Sequence, residues 1–107
     1  MESTVFNMDK VVDLLNEKGI KSSVQMTGGN CATIYCGQEN EFGFYPVACG
    51  PGSFKYDGLN HSIGFAGEFY IGTDVESDDG FYYDGSNDEV KIAESIATFY
   101  ADVLRAW

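Results

Sequence analysis

The chain has 107 residues, and its 17 Asp and Glu against 6 Lys and Arg give a formal net charge of -11. This excess of negative charge excludes nucleic acid and membrane surfaces as direct partners and attracts basic surfaces of other macromolecules. With 44% hydrophobic and 15% aromatic residues, the composition predicts one folded domain over residues 1–107 and excludes a disordered acidic tail.

The first predicted element is a helix near the N-terminus. Met8, Val11, Val12 and Leu15 follow the i, i+3, i+4, i+7 spacing of one helical face. Gly19 stands where a left-handed residue commonly ends a helix. The pattern therefore predicts an amphipathic helix that ends near Gly19.

A hairpin is predicted next. Residues 20–27 alternate with a period of two, Gly28-Gly29-Asn30 interrupts the pattern, and residues 31–36 resume it. Two alternating runs around a glycine-rich turn are typical of paired antiparallel strands.

The middle of the chain predicts a strand followed by irregular structure. A third strand is expected from Phe42 to Ala48, with Pro46 at a sheet edge or at the strand's end. Gly50-Pro51-Gly52-Ser53 indicates a turn. Residues 54–67 show no clear period and are expected to form an ordered loop.

Further strands are predicted on either side of an acidic segment. Residues 68–73 have the composition of a short strand, and Phe81-Tyr82-Tyr83 is expected to pair back to it. The sheet would then have four or five strands.

The closing helix has the clearest pattern. Ser86 and Glu89 have the spacing of a capping box at its start. Two adjacent apolar stripes then cover about half of the helix circumference. This helix is expected to lie on the sheet and against the first helix; alternatively, its surplus apolar edge joins a second copy. The stripes comprise Val90, Ala93, Ala97, Tyr100, Leu104 and Trp107, and Ile92, Ile96, Phe99 and Val103.

Together these elements predict an α+β fold, an antiparallel sheet of four or five strands with the N-terminal and C-terminal helices packed on one face. The first twenty residues lack a basic segment followed by an apolar one, and no run approaches the roughly 20 apolar residues of a membrane span. A cytoplasmic location is therefore expected. Cys31, Cys36 and Cys49 lack a C-x-x-C pair, so all three are expected to be buried reduced thiols.

The acidic segment is the predicted binding site. In an extended chain, Asp74, Glu76 and Asp78 point to one side at intervals of roughly 6.6 Å, twice the strand rise. This spacing is of the same order as the phosphate spacing of about 3.4 Å per DNA strand, so a sheet edge together with the polar face of the last helix can imitate a phosphate row. A solvated hairpin that only keeps the protein soluble is the alternative. The predicted partner-binding residues are Asp74, Glu76, Asp78, Asp79, Tyr82, Tyr83, Asp84, Asp88 and Glu89, with Tyr82 or Tyr83 as the apolar anchor.

Other chemistries find little support in the sequence. The acidic run lacks the Gly and Glu positions of an EF-hand, which leaves only an irregular calcium site as an alternative. His61 is the only histidine, and no glycine pattern for a nucleotide phosphate is present. We therefore expect no enzyme activity, no cofactor and no metal.

Several short motifs carry a resemblance. Residues 26–35, Met-Thr-Gly-Gly-Asn-Cys-Ala-Thr-Ile-Tyr, with Gly50-Pro51-Gly52 and Phe69-Tyr70-Ile71-Gly72 after them, resemble small uncharacterised proteins of bacteriophages and bacterial mobile elements. The resemblance covers about half of the chain and involves turns and strands. Phage proteins of this size and acidity include DNA mimics that inhibit CRISPR and restriction systems. The resemblance thus implies a host-defence inhibitor, and assigns no residue a role.

The sequence as a whole predicts a small acidic binding protein. It would inhibit or modulate a host protein by occupying a basic surface of the kind that nucleic-acid-binding proteins present. The alternative is a homo-oligomeric assembly module, a homodimer in the simplest case, that uses the broad apolar face of the last helix.

Overall fold

The computed structural model describes residues 5–28, 31–55, 61–65, 69–74, 80–83 and 87–106. These ranges confirm the α+β class and the two helices. The elements in chain order are β1 (Val5–Asn7), α1 (Met8–Glu17), β2 (Ser22–Gly28), β3 (Cys31–Cys36), β4 (Val47–Lys55), β5 (His61–Phe65), β6 (Tyr70–Gly72), β7 (Phe81–Tyr82) and α2 (Glu89–Ala106).

The strands form an antiparallel sheet with a branch at β4. Five strands follow the order β1-β5-β4-β3-β2, while β6 pairs with β4 and β7 pairs with β6. The first half of β4, Ala48 to Gly50, pairs with β6, and the second half, from Gly52 to Lys55, pairs with β5. The expected antiparallel sheet is thus confirmed as five strands with a two-strand extension.

The N-terminal helix ends near Gly19 as its sequence predicts, and Asn7 caps its start. The side-chain oxygen of Asn7 accepts hydrogen bonds from the backbone N–H groups of Asp9 and Lys10 (2.9 and 3.3 Å), which satisfies donors that the first turn leaves unpaired. Gly19 has φ 86°. The N–H of Ile20 bonds to the carbonyl of Leu15, closing a Schellman motif.

The prediction for the third strand was wrong in its position. Phe42 and Phe44 lie in a turn, where their N–H groups donate to the side-chain oxygen of Asn40. The strand β4 begins at Val47 and continues through Gly50-Pro51-Gly52, which the sequence indicated as a turn. Glycine and proline signal turns locally, but here the neighbouring strands determine the structure.

A β-bulge explains how β4 accommodates its proline. Ala32 pairs with Gly52 and Ile34 with Cys49, so Gly50 and Pro51 together oppose Thr33. A bulge leaves one residue outside the ladder, and proline has no N–H to contribute there. The bulge coincides with the point where β4 exchanges β6 for β5.

Residues 54–67 contain a strand where a loop was expected. Residues 61–65 form β5, which pairs with both β4 and β1. Gly64 lies directly opposite Phe6, and a Cβ built at Gly64 would come within 2.4 Å of the Phe6 ring. The glycine that weakened the strand pattern is therefore the residue that makes room for a core ring.

The second hairpin and the closing helix form largely as expected. Tyr70 pairs with Tyr82, and Ile71 with Phe81, which confirms the predicted pairing around the acidic segment. Helix α2 packs on α1 and on β6. Its start differs from the prediction, because the side chain of Asp88 accepts the N–H of Val90 (2.9 Å) and caps the helix. Ser86 lies outside the described residues.

The core lies between the helices and one face of the sheet. Cys36 and Cys49 belong to this core, and burial raises the pKa of the Cys49 thiol well above its ordinary value. Cys31 is exposed, so the expectation of three buried thiols was wrong for this residue. In the described part of the chain, neither helix is long and apolar enough to cross a membrane. The fully buried large side chains are Met8, Val11, Leu15, Ile34, Cys36, Val47, Cys49, Phe69, Ile71, Ile92 and Ile96.

Candidate binding face

The face of the sheet opposite the helices carries the candidate site. Side chains alternate between the two faces of a strand, and the row Ile34, Cys49 and Ile71 is buried beneath the helices. The next row along these strands, Tyr35, Ala48 and Gly72, therefore lies on the opposite face. We call this surface the open face; it comprises Thr33, Tyr35, Tyr45, Ala48, Gly50, Tyr70, Gly72, Asp74 and Tyr82.

One end of the open face is a tyrosine pair held by an acidic side chain. The rings of Tyr35 and Tyr45 are 4.7 Å apart between centroids. The carboxylate of Asp74 accepts the backbone N–H of Tyr45 (2.9 Å), and the side-chain amide of Gln25 donates to the Tyr45 hydroxyl (3.3 Å). These bonds fix Tyr45 on the sheet although it precedes β4.

The second tyrosine pair lies on the hairpin of β6 and β7. The rings of Tyr70 and Tyr82 meet edge-on with centroids 5.0 Å apart. Ideal Cβ atoms at Gly72 and Gly80 would come within 2.6 and 2.4 Å of the Tyr70 side chain. Because both positions are glycine, Tyr70 lies flat against the backbone, whereas Tyr82 is 65% exposed.

Small residues separate the two tyrosine pairs. Among the residues of β4 whose side chains the structure describes, Ala48 and Gly50 lie on this face between Tyr35 on β3 and Tyr70 on β6. Two strand spacings set the separation between β3 and β6 at roughly 10 Å. We call the strip of small residues between the two tyrosine pairs, Ala48 and Gly50, the trough.

Five of the nine predicted binding residues fall within the described structure, and they do not form one surface. Asp74 and Tyr82 lie on the open face. Tyr83 is 7% exposed and belongs to the core, where its N–H donates to the carbonyl of Phe69. Tyr83 therefore cannot be the surface anchor, and of the two candidate tyrosines only Tyr82 is accessible. Glu76, Asp78, Asp79 and Asp84 lie outside the described residues.

Asp88 and Glu89 have structural roles at the start of α2. Asp88 caps the helix, and the Glu89 carboxylate accepts the backbone N–H of Asn7 (3.0 Å). The amide of Asn87 donates to the carbonyl of Val5 beside them. These contacts tie the start of the helix to β1.

Sequence reasoning missed three of the four tyrosines of the open face. The alternation of Tyr35 with buried Ile34 and Cys36, and of Tyr70 with buried Ile71, was a usable signal. Tyr45 had no such signal, because a contact with Asp74, 29 residues away in sequence, places it. Three exposed acids at intervals of four residues also lie in line along α1; they are Asp9, Asp13 and Glu17.

The surroundings of Tyr35 change the pKa of its phenol. Partial burial raises the pKa of its phenol above the ordinary value, and the charge of Asp74 and the nearby Tyr45 raise this pKa further. The neutral phenol is thus favoured in the folded protein. Its contribution to the free energy of unfolding is complete below pH ~10 and is lost as the pH rises through the raised pKa.

Substituting Asp74→Asn should lower the Tyr35 pKa part of the way towards its ordinary value, because the carboxylate charge is removed while an amide oxygen remains to accept the Tyr45 N–H. Ultraviolet absorbance titration can follow phenol ionisation, with Tyr35→Phe in both backgrounds to assign the Tyr35 step. Asp13→Asn is the matched control and should leave this step unchanged. An unaltered Tyr35 pKa in Asp74→Asn would contradict the assigned electrostatic contact.

The described residues include no evident catalytic or metal-binding group. His61 begins β5 opposite Lys55, in a strand and not in the expected loop. Within the described ranges, no group of three or more His, Cys, Asp or Glu side chains is arranged to hold a metal ion. The acids on which an irregular calcium site would depend lie largely outside those ranges.

Comparison with known proteins leaves the site to be interpreted on its own geometry. The chain matches no family model, no curated protein and no solved structure.

Proposed function

We propose that this protein is a small acidic binding protein that inhibits or modulates a partner protein by occupying a basic surface. The observation that carries the proposal is the open face, where tyrosine side chains and Asp74 lie together on a chain of net charge -11. Tyrosine is common at the energetic centres of protein interfaces, and surrounding charge accelerates association with a surface of opposite sign. A nucleic-acid-binding protein offers such a basic surface.

The test is affinity capture from host lysate at low and high salt, followed by identification of the captured proteins. One variant changes Asp74, Glu76, Asp78 and Asp79 to Asn or Gln. The control variant removes the same charge from the helices by changing Asp9, Asp13, Glu17 and Glu94, all of which are exposed. We expect one basic protein to be retained at low salt by the wild type and the control, and to be lost from the first variant.

Nucleic acid provides a further arm of the same experiment. If the captured surface normally holds nucleic acid, added duplex DNA or RNA should release the partner, because both ligands neutralise the same basic groups. The proposal would be contradicted if the wild type and the variant of residues 74–79 captured the same proteins and if salt did not change this capture.

A homo-oligomeric module is the second candidate, and the exposed apolar side chains on the two edges of the apolar face of α2 favour it. Phe81 is 44% exposed, and its ring meets Phe99 edge-on at 5.9 Å. Val90 and Leu104 on the same helix are each 46% exposed. A dimer in sedimentation equilibrium would favour this candidate, whereas a monomer at all concentrations would remove its support.

A further inference from the structure

The trough and the tyrosine pairs beside it have the chemistry of a site for a cationic side chain. The tyrosine pairs Tyr35–Tyr45 and Tyr70–Tyr82 flank it, and Asp74 lies at the Tyr35 end. Ala48 and Gly50 project little from β4 between these two pairs. The faces of tyrosine rings attract cations, and this attraction strengthens when water is displaced.

Arginine suits this trough better than lysine does. A guanidinium is planar, stacks on aromatic rings and is weakly hydrated, whereas an ammonium is a compact, strongly hydrated charge. A carboxylate has room for more than one donor, so Asp74 can accept an arginine N–H while it holds the N–H of Tyr45. Arginine also pairs with a carboxylate through a defined fork geometry.

We propose that the open face binds an arginine-bearing segment of the partner protein, with guanidinium groups stacked on the tyrosines and paired with Asp74. This inference rests on the proposed function, which supplies a basic partner. It adds that recognition occurs at the trough and is specific for arginine. If only the net charge of -11 attracted the partner, removing any exposed acid would weaken binding equally, and arginine and lysine would bind equally well.

Three labelled peptides test the cation. A glycine-arginine repeat peptide is compared by fluorescence anisotropy with the same peptide carrying lysine and with one carrying citrulline, which keeps the shape of arginine and loses its charge. We expect the arginine peptide to bind about three- to tenfold more tightly than the lysine peptide, the citrulline peptide not to bind, and salt to weaken binding.

Matched variants test the position. Tyr82→Leu and Asp74→Asn should each weaken arginine-peptide binding by about three- to tenfold. Phe81→Leu removes a ring from the opposite side of the same strand, and Asp13→Asn removes the same charge from α1; both should change binding less than twofold. Tyr82→Phe keeps the ring face and should retain most of the affinity.

Amide chemical shifts provide a second measurement that needs no variant. The arginine peptide should shift the amide signals of Ala48, Gly50 and Gly72, and leave those of Val11 and Leu15 unchanged.

The possible failures are distinguishable. The inference would be overturned if Asp74→Asn and Asp13→Asn lost equal affinity for the arginine peptide, or if the arginine and lysine peptides bound equally well. The proposed function of an acidic binding protein would not be affected by either result. Absence of arginine-peptide binding alongside salt-sensitive capture of a basic protein would also overturn the inference alone. Absence of both would overturn the proposed function as well.

Discussion

Substituting Phe69→Ala is expected to lower the free energy of unfolding by about 3–5 kcal/mol, the cost typical of removing a buried phenylalanine ring. Phe69 is fully buried, and its ring packs edge-on against Phe6 with centroids 5.0 Å apart. Domains of this kind are stable by only about 5–15 kcal/mol, so this single change removes a large part of the total. Guanidinium denaturation followed by circular dichroism measures the loss.

Phe81→Ala is the matched control for that substitution. Phe81 is 44% exposed on the other strand of the same hairpin region, so truncation should cost only about 1 kcal/mol. Similar losses for the two variants would contradict the full burial of Phe69 against Phe6.

Substituting Gly37→Ala is expected to cost about 2–5 kcal/mol, because two penalties combine. Gly37 has φ 94°, which a residue with a Cβ adopts only with strain. An added Cβ would also lie 2.7 Å from Pro46 and 3.0 Å from the ring of Tyr100. Since Tyr100 belongs to α2, the substitution pushes the closing helix away from the end of β3.

Gly19→Ala separates the two penalties. Gly19 has φ 86°, but no heavy atom lies within 4 Å of its ideal Cβ position. This variant should lose only about 1–2 kcal/mol, the cost of the left-handed backbone alone. The same denaturation experiment gives both values, and equal losses would contradict the close approach of Pro46 and Tyr100 to Gly37.

The helices were predictable because their information is local. Met8, Val11, Val12 and Leu15 form one buried face, and Gly19 ends the helix with a positive φ, as the spacing and the glycine indicated. The pairing of residues 22–26 with 32–36 is local in the same sense. A short connection brings such strands together before any distant part of the chain takes part.

The branch at β4 was not predictable in the same way. Gly50-Pro51-Gly52 has the composition of a turn, and it enters the sheet only because β3 lies on one side and β6 and β5 lie on the other. The partners that satisfy its backbone groups come from three separate parts of the chain. Local propensity is weak compared with such pairing, as is common for strands.

The candidate site shows the same division between sequence and tertiary structure. Composition alone determined the charge of -11, and with it the expectation that the protein binds basic partners and not nucleic acid. The sequence also placed Asp74 and Tyr82, which lie on the open face, among the predicted binding residues. Only the tertiary structure removed Tyr83 to the core and gave Asp88 and Glu89 capping and bridging roles. Charge sums over the chain whatever its fold, whereas the accessibility of a side chain depends on which distant residues pack against it.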